Sequence, residues 1–565
     1  MSLTEPLSDL NEGNAPVNVA MHLRAMAEEK PYKRAVVCPS GRDSAGRVTY
    51  AQLTFRQLDQ DSDSLAAGLV AAGITRGTRT ILMVTPSIDF FSLTFALFKA
   101  GAVPVVVDPG MGLDRMLSCL KESRAEAFIG IPKAHVLRSF RPGFFKQVRT
   151  WVTVGKKWFW GGHTLKGLRN MGAGVSDFLA APTTRDEIAA ILFTTGSTGP
   201  AKGVVYTHGT FDAQIQAIKS HFKIGDNEID LPTFPLFALF DPAIGMTAVI
   251  PDMDPTQPAR VNPQRIFEAI LNQGVTHMFA SPALLNRVGL YGEKNKISLP
   301  TLKRVVSAGA PVGADNIARF STLLPEDAVI HTPYGATEAV PILSITSPEI
   351  LSETRQQTEQ GFGICVGRPI GDIQVRLIRI TDDPIVTWDD SLEVRPGEPG
   401  EITVSGDLVT TRYFERPDAD ALAKIQDNGR VWHRMGDLGW MDSRGRIWFC
   451  GRKAHRVPTE NGDLYTLPCE SIFNTHPDVY RSALVGVGSG PHKTPVICIE
   501  CMKPNSPREL ERELIALAAS HPVTESIQTI LFHPSFPVDI RHNAKIFREK
   551  LGPWAEQQLT GAKGT

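Results

Sequence analysis

The strongest chemical signal in the sequence is a loop rich in glycine and hydroxyl residues. It contains Thr194, Thr195, Gly196, Ser197, Thr198 and Gly199, and Lys202 follows it. An apolar run over 189–193 predicts a buried strand that ends at the loop. Glycines let a backbone approach phosphate oxygens, while N–H groups, hydroxyls and a lysine supply donors and positive charge. We therefore predict a loop that binds the phosphates of a nucleotide.

The residues after Lys202 distinguish this loop from the Walker A loop of kinases and GTPases. In a Walker A loop the lysine is followed by Ser or Thr at the start of a helix. Here Gly203, Val204 and Val205 follow and predict a second strand. An ordinary kinase or GTPase is thus disfavoured, and a flexible hydroxyl-rich hairpin is the alternative interpretation of the loop taken alone.

Apolar strand-like runs alternate with amphipathic stretches of helical length, which predicts an α/β fold around this loop. The chain has 565 residues, more than one hydrophobic core usually sustains, so we expect at least two domains. After about Gln374 short strands with turn signals predict a β-rich subdomain, and a new α/β pattern begins near Thr466. We predict a large N-terminal domain of layered α/β subdomains plus a β-rich subdomain (1–451), and a small mobile α+β C-terminal domain (452–565).

Composition excludes several classes of protein. With 42% hydrophobic residues, 21% charged residues and a formal net charge of −1, the chain has the composition of an ordinary globular protein, so we expect no nucleic-acid partner. Residues 1–17 lack a basic region followed by an apolar one, and the seven cysteines are scattered. Both features predict a cytoplasmic protein.

One segment has an unusual composition, because no acidic residue occurs between Glu126 and Asp177. Within 146–169, basic residues alternate with Trp151, Trp158, Phe159 and Trp160. One interpretation is a solvated loop with its tryptophans in the core. The other is a lid or a peripheral membrane contact through 146–169, close to an oily substrate.

Several motifs together resemble the adenylate-forming superfamily, which includes acyl-CoA synthetases, the adenylation domains of peptide synthetases and firefly-type luciferases. They are the loop 194–203, Ser307-Ala308-Gly309-Ala310-Pro311, Tyr334-Gly335-Ala336-Thr337-Glu338, Met435-Gly436-Asp437, Gly451-Arg452 and the segment from Phe536-Pro537 to Lys545. The resemblance covers the chain from about Pro31 onward. It implies that the protein uses ATP to convert a carboxylic acid into its acyl-adenylate.

The resemblance also implies a role for each motif. Gly309, Ala310 and Pro311 would contact adenine, Tyr334, Gly335 and Thr337 would border the α-phosphate and the metal, Asp437 would bind the ribose hydroxyls, and Arg452 would lie at the domain hinge. ATP arrives with Mg²⁺, for which the hard oxygen of Glu338, helped by the Thr337 hydroxyl, is a suitable ligand. The alternatives are a solvated glutamate at 338 and a turn-forming aspartate at 437.

Lys545 is the predicted catalytic lysine, together with Glu338 and Thr337 as catalytic residues. An ammonium group between the attacking carboxylate and the α-phosphate reduces charge repulsion and stabilises the transition state. The superfamily usually has glycine before this lysine, but this chain has Ala544. A surface lysine in a basic helix with Arg548 and Lys550 is the alternative interpretation.

Two segments resemble the branch of the superfamily that forms β-lactones in bacterial long-chain olefin biosynthesis. They are the stretch from Gly451 through Glu470 and the stretch from Phe234 to Asp241. That resemblance implies a 2-alkyl-3-hydroxy fatty acid as substrate, whose own hydroxyl attacks the adenylate. It also implies a multi-enzyme assembly with a β-lactone decarboxylase and a reductase.

An apolar acyl slot is a further expectation, with simple core packing as the alternative. Its predicted lining is Phe237, Leu239, Phe240, Met278 and Phe279. The alternative function is that of a long-chain fatty acyl-CoA synthetase or acyl-AMP ligase. The stretch after Arg452 weakens this alternative, because acyl-CoA synthetases typically have a glycine-rich turn there that lines a thiol tunnel. Here Ala454 stands in place of the usual acidic or lysine hinge residue, and Pro458 and Tyr465 add bulk and stiffness.

Overall fold

The computed structural model describes residues 16–194, 200–502, 507–538 and 546–561. Loop residues 195–199 and Lys545 lie outside these ranges, so their predicted roles stay predictions. The strands are β1 (Arg34–Arg42), β2 (Val48–Thr54), β3 (Arg79–Met83), β4 (Val103–Val107), β5 (Ala127–Gly130), β6 (Thr150–Thr153), β7 (His163–Thr164), β8 (Ile188–Thr194), β9 (Lys202–Thr207), β10 (Ile229–Pro232), β11 (Thr247–Val249), β12 (His277–Ala280), β13 (Arg304–Ser307), β14 (Val329–Ala336), β15 (Ala339–Thr346), β16 (Ile364–Pro369), β17 (Gln374–Ile378), β18 (Gly400–Ser405), β19 (Lys424–Asp427), β20 (Arg430–Met441), β21 (Ile447–Arg452), β22 (Val457–Thr459), β23 (Gly462–Leu464), β24 (Val479–Val487), β25 (Thr494–Cys501) and β26 (Thr529–Phe532).

Helices connect most of these strands. They are α1 (Met21–Glu29), α2 (Phe55–Ala71), α3 (Ile88–Lys99), α4 (Leu113–Glu122), α5 (Pro132–Phe140), α6 (Leu165–Met171), α7 (His208–His221), α8 (Pro235–Ala238), α9 (Phe240–Ile244), α10 (Pro263–Gln273), α11 (Pro282–Asn295), α12 (Ala314–Ser321), α13 (Ser347–Glu349), α14 (Arg355–Glu359), α15 (Pro417–Ala423), α16 (Thr466–Phe473), α17 (Pro507–Ala519) and α18 (Arg548–Gly561). Short 3₁₀ turns occur at Pro109–Met111, Pro142–Phe145, Pro258–Arg260, Asp390–Leu392 and Lys453–His455, and a π-helical turn at Ile350–Thr354.

The strands assemble into layered sheets, which confirms the predicted α/β fold. One seven-stranded sheet has the order β7-β6-β5-β3-β4-β8-β9, and its strands are parallel except at the β8–β9 pair. A second sheet runs β17-β18-β20-β21-β16-β15-β14-β13-β12-β10-β11-β1-β2. Its β10 to β14 portion is parallel, while β15 to β21 pair in antiparallel fashion. The β-rich part predicted after Gln374 is this antiparallel portion.

The C-terminal portion has a sheet of its own. Strands β24, β25 and β26 form it, and α16, which begins at Thr466 as predicted, packs against β24. The hairpin of β20 and β21 ends at Arg452. A separate small C-terminal domain is therefore confirmed, while its exact limits of 452–565 stay a prediction.

Gly451 has a backbone conformation that only glycine adopts easily. Its φ is +118°, and a Cβ at this position would lie 2.1 Å from Thr466 Oγ1 at the start of α16. Any side chain here would collide with the helix. The residue before the predicted hinge arginine is thus fixed as glycine by the close approach of α16.

A buried ion cluster joins α1, α2 and α3. Lys99 is 1% exposed, and its Nζ lies 2.6 Å from Asp59 Oδ1 and 2.6 Å from Asp63 Oδ1. Arg24 contacts the same two carboxylates at 2.9 and 2.8 Å. Burial raises the pKa of Asp63, and the Lys99 ammonium opposes that rise. The cluster is balanced because every charge in it has a partner.

Among the residues described above, no helix is both long and apolar enough to cross a bilayer.

We predict that Lys99→Met destabilises the N-terminal helices. The change leaves two buried carboxylates with one arginine, which costs about 3–5 kcal/mol for a broken buried pair. The expected result is a lower midpoint of thermal unfolding by circular dichroism. Lys156→Met, at an exposed lysine, is the matched control and should leave the midpoint unchanged. An equal midpoint for both variants would contradict the prediction.

Candidate functional site

A continuous cleft of about 3240 Å³ collects the predicted motifs. Its walls come from both sheets of the N-terminal domain and from the C-terminal domain. Of the predicted nucleotide-site residues, those that line it are Lys202, Gly309, Ala310, Pro311, Tyr334, Gly335, Thr337, Glu338, Asp437 and Arg452. Residues far apart in sequence therefore meet at one cavity, as the motif order predicts. Thr194 is the last residue of β8, which leads into the loop.

Asp437 is the central carboxylate of one half of the cleft. It lies on β20 directly opposite Arg452 on β21, and its Oδ1 is 3.0 Å from Arg452 Nη1. Tyr334, at the end of β14, donates its hydroxyl proton to Asp437 Oδ2 at 2.5 Å. The Tyr334 ring packs against Phe449 with centroids 5.8 Å apart. Three elements thus fix the position of one carboxylate.

The second oxygen of Asp437 has spare hydrogen-bonding capacity. Asp437 is 2% exposed, yet its Oδ1 accepts no hydrogen bond from the described residues. Arg452 Nη1 lies close to this oxygen but donates its hydrogen bond to the Met435 carbonyl. Burial raises the pKa of Asp437, and Arg452 and the Tyr334 hydrogen bond oppose this rise. Buried acceptors rarely stay unpaired, so this oxygen suits a ligand hydroxyl such as a ribose hydroxyl. The predicted turn-forming role does not apply, since Asp437 lies within a strand.

Thr337 and Glu338 form the short connection between β14 and β15. The Glu338 carbonyl accepts hydrogen bonds from Thr410 N at 2.8 Å and from Thr410 Oγ1 at 3.0 Å. Tyr206 donates its hydroxyl proton to the Thr337 carbonyl. Tyr413 donates to Glu338 Oε1 at 2.7 Å. These bonds hold the backbone of Thr337 and Glu338 and one oxygen of the Glu338 carboxylate. No described residue donates a hydrogen bond to Glu338 Oε2.

Two lysines surround Tyr413. Lys202 Nζ, at the start of β9, lies 4.8 Å from the centroid of the Tyr413 ring. Lys424 Nζ lies 5.5 Å from the same centroid and donates to the Thr410 carbonyl. Burial lowers the pKa of Lys424 to about 8. Lys202, the predicted phosphate ligand, and Glu338, the predicted metal ligand, therefore both contact the Tyr413 side chain.

The sequence analysis missed Tyr413, Lys424, Thr410 and Tyr206. Tyr413 reaches the site because residues 412–414 pair with β9, through the Val204–Tyr413 bridge and the Phe414 N–H bond to the Gly203 carbonyl. No local motif marks this pairing. A strand that follows a phosphate loop needs a neighbour on its open edge, and this was the only signal that could have pointed to 412–414.

The described residues fit a magnesium ion carried by a nucleotide. Mg²⁺ is usually bound by one or two carboxylates, with phosphates and water completing its shell. Glu338 provides one partly exposed carboxylate beside the Thr337 hydroxyl. In the described part of the chain no cluster of three or more His, Cys, Asp or Glu residues could hold a metal by itself. The donor set therefore suits Mg²⁺ brought by ATP rather than a metal held by protein alone.

The predicted adenine segment follows β13. Ser307 is the last residue of that strand, and Gly309 has a φ of +96°, which favours glycine. The turn places the backbone of Ala310 and Pro311 on the cleft wall. Ser307 Oγ is buried and has no hydrogen-bond partner among the described residues. A free hydroxyl at this position can bond to a polar ligand edge.

Some of the predicted acyl-slot residues lie on the cleft wall, and their role in binding an acyl chain stays a prediction. Phe237, Leu239 and Phe240 line the cleft and are partly exposed to it. Met278 does not, because it is fully buried in the core beneath α10 and α11. Side chains alternate along a strand, so Phe279, the neighbour of Met278 on β12, faces the cleft instead. The prediction for Met278 was wrong for this reason.

His208 has a structural role, as its position after a helix cap suggests. It follows Thr207, whose hydroxyl caps α7, and its Nδ1 accepts a hydrogen bond from Val19 N at 3.2 Å. Burial lowers its pKa to about 4. It is not part of the cleft wall.

Comparison with known families places these observations in context. The sequence profile described as AMP-binding enzyme matches residues 23–414. The chain is 50% identical, over 97% of its length and 99% of the relative, to an olefin β-lactone synthetase of Stenotrophomonas maltophilia. It is 48% identical, over 96% of its length and 98% of the relative, to an olefin β-lactone synthetase of Xanthomonas campestris pv. campestris.

Solved structures show the same fold at lower identity. An amide bond synthetase from Marinactinospora thermotolerans superposes with a TM-score of 0.77, covering 95% of this chain and 99% of that chain at 22% identity. That likeness concerns the fold, and it includes the small C-terminal domain because almost all of both chains is covered.

We predict that Tyr413→Phe weakens the contribution of Mg²⁺ to nucleotide binding. Losing a hydrogen bond to a carboxylate costs about 1.5–3 kcal/mol, which corresponds to roughly ten- to hundredfold in affinity. Calorimetric titration of ATP with and without Mg²⁺ is the measurement. The affinity measured with Mg²⁺ should fall, and the affinity measured without it should not. Tyr32→Phe, at an exposed tyrosine, is the control. An unchanged difference between the two conditions would refute a role for Tyr413 in holding Glu338.

Proposed function

We propose, from the premise that this chain belongs to the AMP-binding enzyme family, that it converts a 2-alkyl-3-hydroxy long-chain fatty acid into a β-lactone. The chain is an adenylate-forming ligase, and its relatives over nearly the whole length are olefin β-lactone synthetases. This identity of about half of all positions is the observation that carries the assignment. It favours lactone formation over the alternative of an acyl-CoA ligase.

The reaction has two steps. In the first, a carboxylate oxygen of the acid attacks the α-phosphorus of ATP, and pyrophosphate leaves. In the second, the oxygen of the 3-hydroxyl group attacks the acyl carbon, the bond from that carbon to AMP breaks, and the hydroxyl proton is released to solvent. An internal nucleophile held near the acyl carbon needs no second substrate. The products are the β-lactone, AMP and pyrophosphate.

The cleft residues supply binding and orientation for the first step. Asp437 would accept the ribose hydroxyls through its unpaired oxygen, and the Gly309–Pro311 turn would contact adenine. Lys202 would contact the phosphates. Glu338 and the Thr337 hydroxyl would hold Mg²⁺, which when bound supplies positive charge against the triphosphate. Lys545, outside the described residues, would lie between the carboxylate and the α-phosphate.

The segment after the hinge is tied down in this structure. Lys453 Nζ lies 3.0 Å from Glu401 Oε2 and donates to the Thr381 carbonyl at 2.7 Å. Arg456 Nη2 lies 2.7 Å from Asp382 Oδ2. The following residues form the β22–β23 hairpin. A segment held by ion pairs and a hairpin differs from the glycine-rich turn expected of a thiol tunnel. This difference supports attack by the substrate's own hydroxyl over transfer to an external thiol.

We predict that the protein makes a β-lactone without coenzyme A. Incubation with Mg-ATP and a 2-alkyl-3-hydroxy acid should give AMP over many turnovers, and a lactone should be identified by mass. Lys545→Ala should reduce pyrophosphate exchange by about a hundredfold or more, because the charge it provides to the transition state is lost. Strict dependence of AMP release on a thiol would support the acyl-CoA ligase instead.

We also propose that the protein works in an assembly with a β-lactone decarboxylase and a reductase. A strained, apolar lactone benefits from direct transfer to the enzyme that consumes it.

The cytoplasmic location expected from the sequence stays a prediction.

The basic and aromatic segment 146–169 divides into a packed part and an exposed part. Trp160 is buried, donates its Nε1–H to Thr153 Oγ1 at 2.9 Å and stacks on His135 at 5.2 Å. Trp158 and Phe159 are 54% and 82% exposed. The exposed lysines and arginines of the segment are Lys146, Arg149, Lys156, Lys157 and Lys166. We propose that this exposed surface contacts anionic lipid, since aromatic rings and basic residues together favour an interface.

We predict that Trp158→Ala/Phe159→Ala reduces co-sedimentation with anionic liposomes. Removing two exposed rings takes away the apolar part of the contact, while the fold stays intact because neither ring is buried. Phe140→Ala, another exposed aromatic outside 146–169, serves as the control. Partitioning equal to that of the parent protein would dismiss the lipid contact.

A further inference from the structure

The cleft continues from the nucleotide site into two apolar arms. The first, here called the α3 arm, is lined by Thr94, Phe95 and Phe98 of α3, Val106 of β4, Leu192 of β8 and Phe211 of α7. The second, here called the β12 arm, is lined by Phe234, Phe237 and Phe279. Apart from Phe240, which packs against Phe211, the residues of the α3 arm do not belong to the predicted acyl slot.

Two strand residues of the α3 arm keep surface that is open to the cleft. Val106 and Leu192 are register partners on the adjacent strands β4 and β8. Both line the cleft and are partly exposed, whereas Val105 and Ile191, which face the other side of the sheet, are fully buried. An apolar group in the cleft can therefore contact this part of the sheet.

Aromatic contacts group the lining residues of each arm. In the α3 arm, Phe211 packs against Phe98 at 5.9 Å and against Phe240 at 6.1 Å. In the β12 arm, Phe237 packs against Phe279 at 4.3 Å and against Phe234 at 5.6 Å. The short helices α8 and α9 carry Phe237 to one arm and Phe240 to the other. The chain turn at Leu239 thus lies between the arms.

A buried acceptor lies at the mouth of the α3 arm. Gln214 is one turn from Phe211 on α7, is 1% exposed and lines the cleft. Its Nε2 donates to the Val340 carbonyl at 2.8 Å, which fixes the orientation of the amide. Its Oε1 is buried without a partner among the described residues. Nearby, Tyr206 lines the same wall and bonds to the Thr337 carbonyl, so the acceptor lies on the phosphate side of the arm.

We propose that the two hydrocarbon chains of the substrate occupy separate arms. The chain on the hydroxyl-bearing carbon enters the α3 arm, the 2-alkyl chain enters the β12 arm, and Gln214 Oε1 accepts a hydrogen bond from the 3-hydroxyl. This inference rests on the proposed function and deepens it. Each chain needs its own apolar wall, because burial contributes about 0.8 kcal/mol per methylene group. By holding the 3-hydroxyl at the mouth of the α3 arm, Gln214 determines which hydrocarbon chain enters which arm.

Narrowing one arm tests this assignment. Val106→Phe fills the α3 arm, and Val107→Phe, which places the same side chain on the opposite face of β4, is the matched control. Phe237→Trp narrows the β12 arm. The substrates are two acids, one with a long chain at C-3 and methyl at C-2, and the other the reverse. Thermal midpoints confirm that each variant folds.

The expected result is a crossed pattern. Val106→Phe should lower kcat/KM for the acid with the long C-3 chain by about tenfold or more, and should spare the other acid. Phe237→Trp should do the opposite. If Val106→Phe fails to fold, Leu192→Ala, which enlarges the arm, should shift the preference toward longer or bulkier C-3 chains. Equal losses on both acids, or no loss on either, would overturn the proposal.

Gln214→Leu tests the hydroxyl contact separately. The loss of kcat/KM should be about tenfold larger for lactone formation than for adenylation of an analogue without the hydroxyl, measured by pyrophosphate exchange. Equal loss of both activities would overturn the orienting role. Pyrophosphate exchange also reports chain preference when no lactone forms. A parent protein that adenylates these acids but releases no lactone would therefore refute the proposed function, while the crossed pattern would still decide the assignment of the arms.

Discussion

The burial of Asp437 between Tyr334 and Arg452 is the constraint on which the nucleotide site depends. A carboxylate out of contact with water must be matched by donors or by positive charge. Here Tyr334 of β14 donates a hydrogen bond, and Arg452, the last residue of β21, supplies the charge. The contact joins the parallel portion of the large sheet to its antiparallel portion. No described residue donates a hydrogen bond to the other oxygen of Asp437, which can therefore accept one from a ligand hydroxyl.

Much of this organisation could be predicted from the sequence, because glycine-rich and charged motifs are local. The strand before the phosphate loop, the strand after Lys202, the hairpin ending at Arg452 and the start of α16 at Thr466 were all predicted and confirmed. Each depends on residues that are close in sequence. The superfamily and the type of reaction could also be predicted, because the motifs occur along the chain in the order that is typical of that superfamily.

The rest could not be predicted because it depends on pairing between distant segments. Tyr413 reaches Glu338 only because 412–414 lie beside β9. Met278 was placed in the acyl slot by its apolar character, but the register of β12 turns it into the core and turns Phe279 outward. The α3 arm is formed by a helix and two strands whose residues look like ordinary core. Accessible surface in the middle of a sheet is visible only in three dimensions.

The close approach of Gly451 to α16 has a mechanical consequence. Gly451, near the end of β21, approaches Thr466, at the start of α16. Only the absence of a Cβ at Gly451 leaves room for this approach. A larger residue would push α16 away from the N-terminal domain. Because α16 is packed into the small domain, the whole domain would have to move with it. The variation that this position can accept is therefore limited by how closely one domain packs against the other.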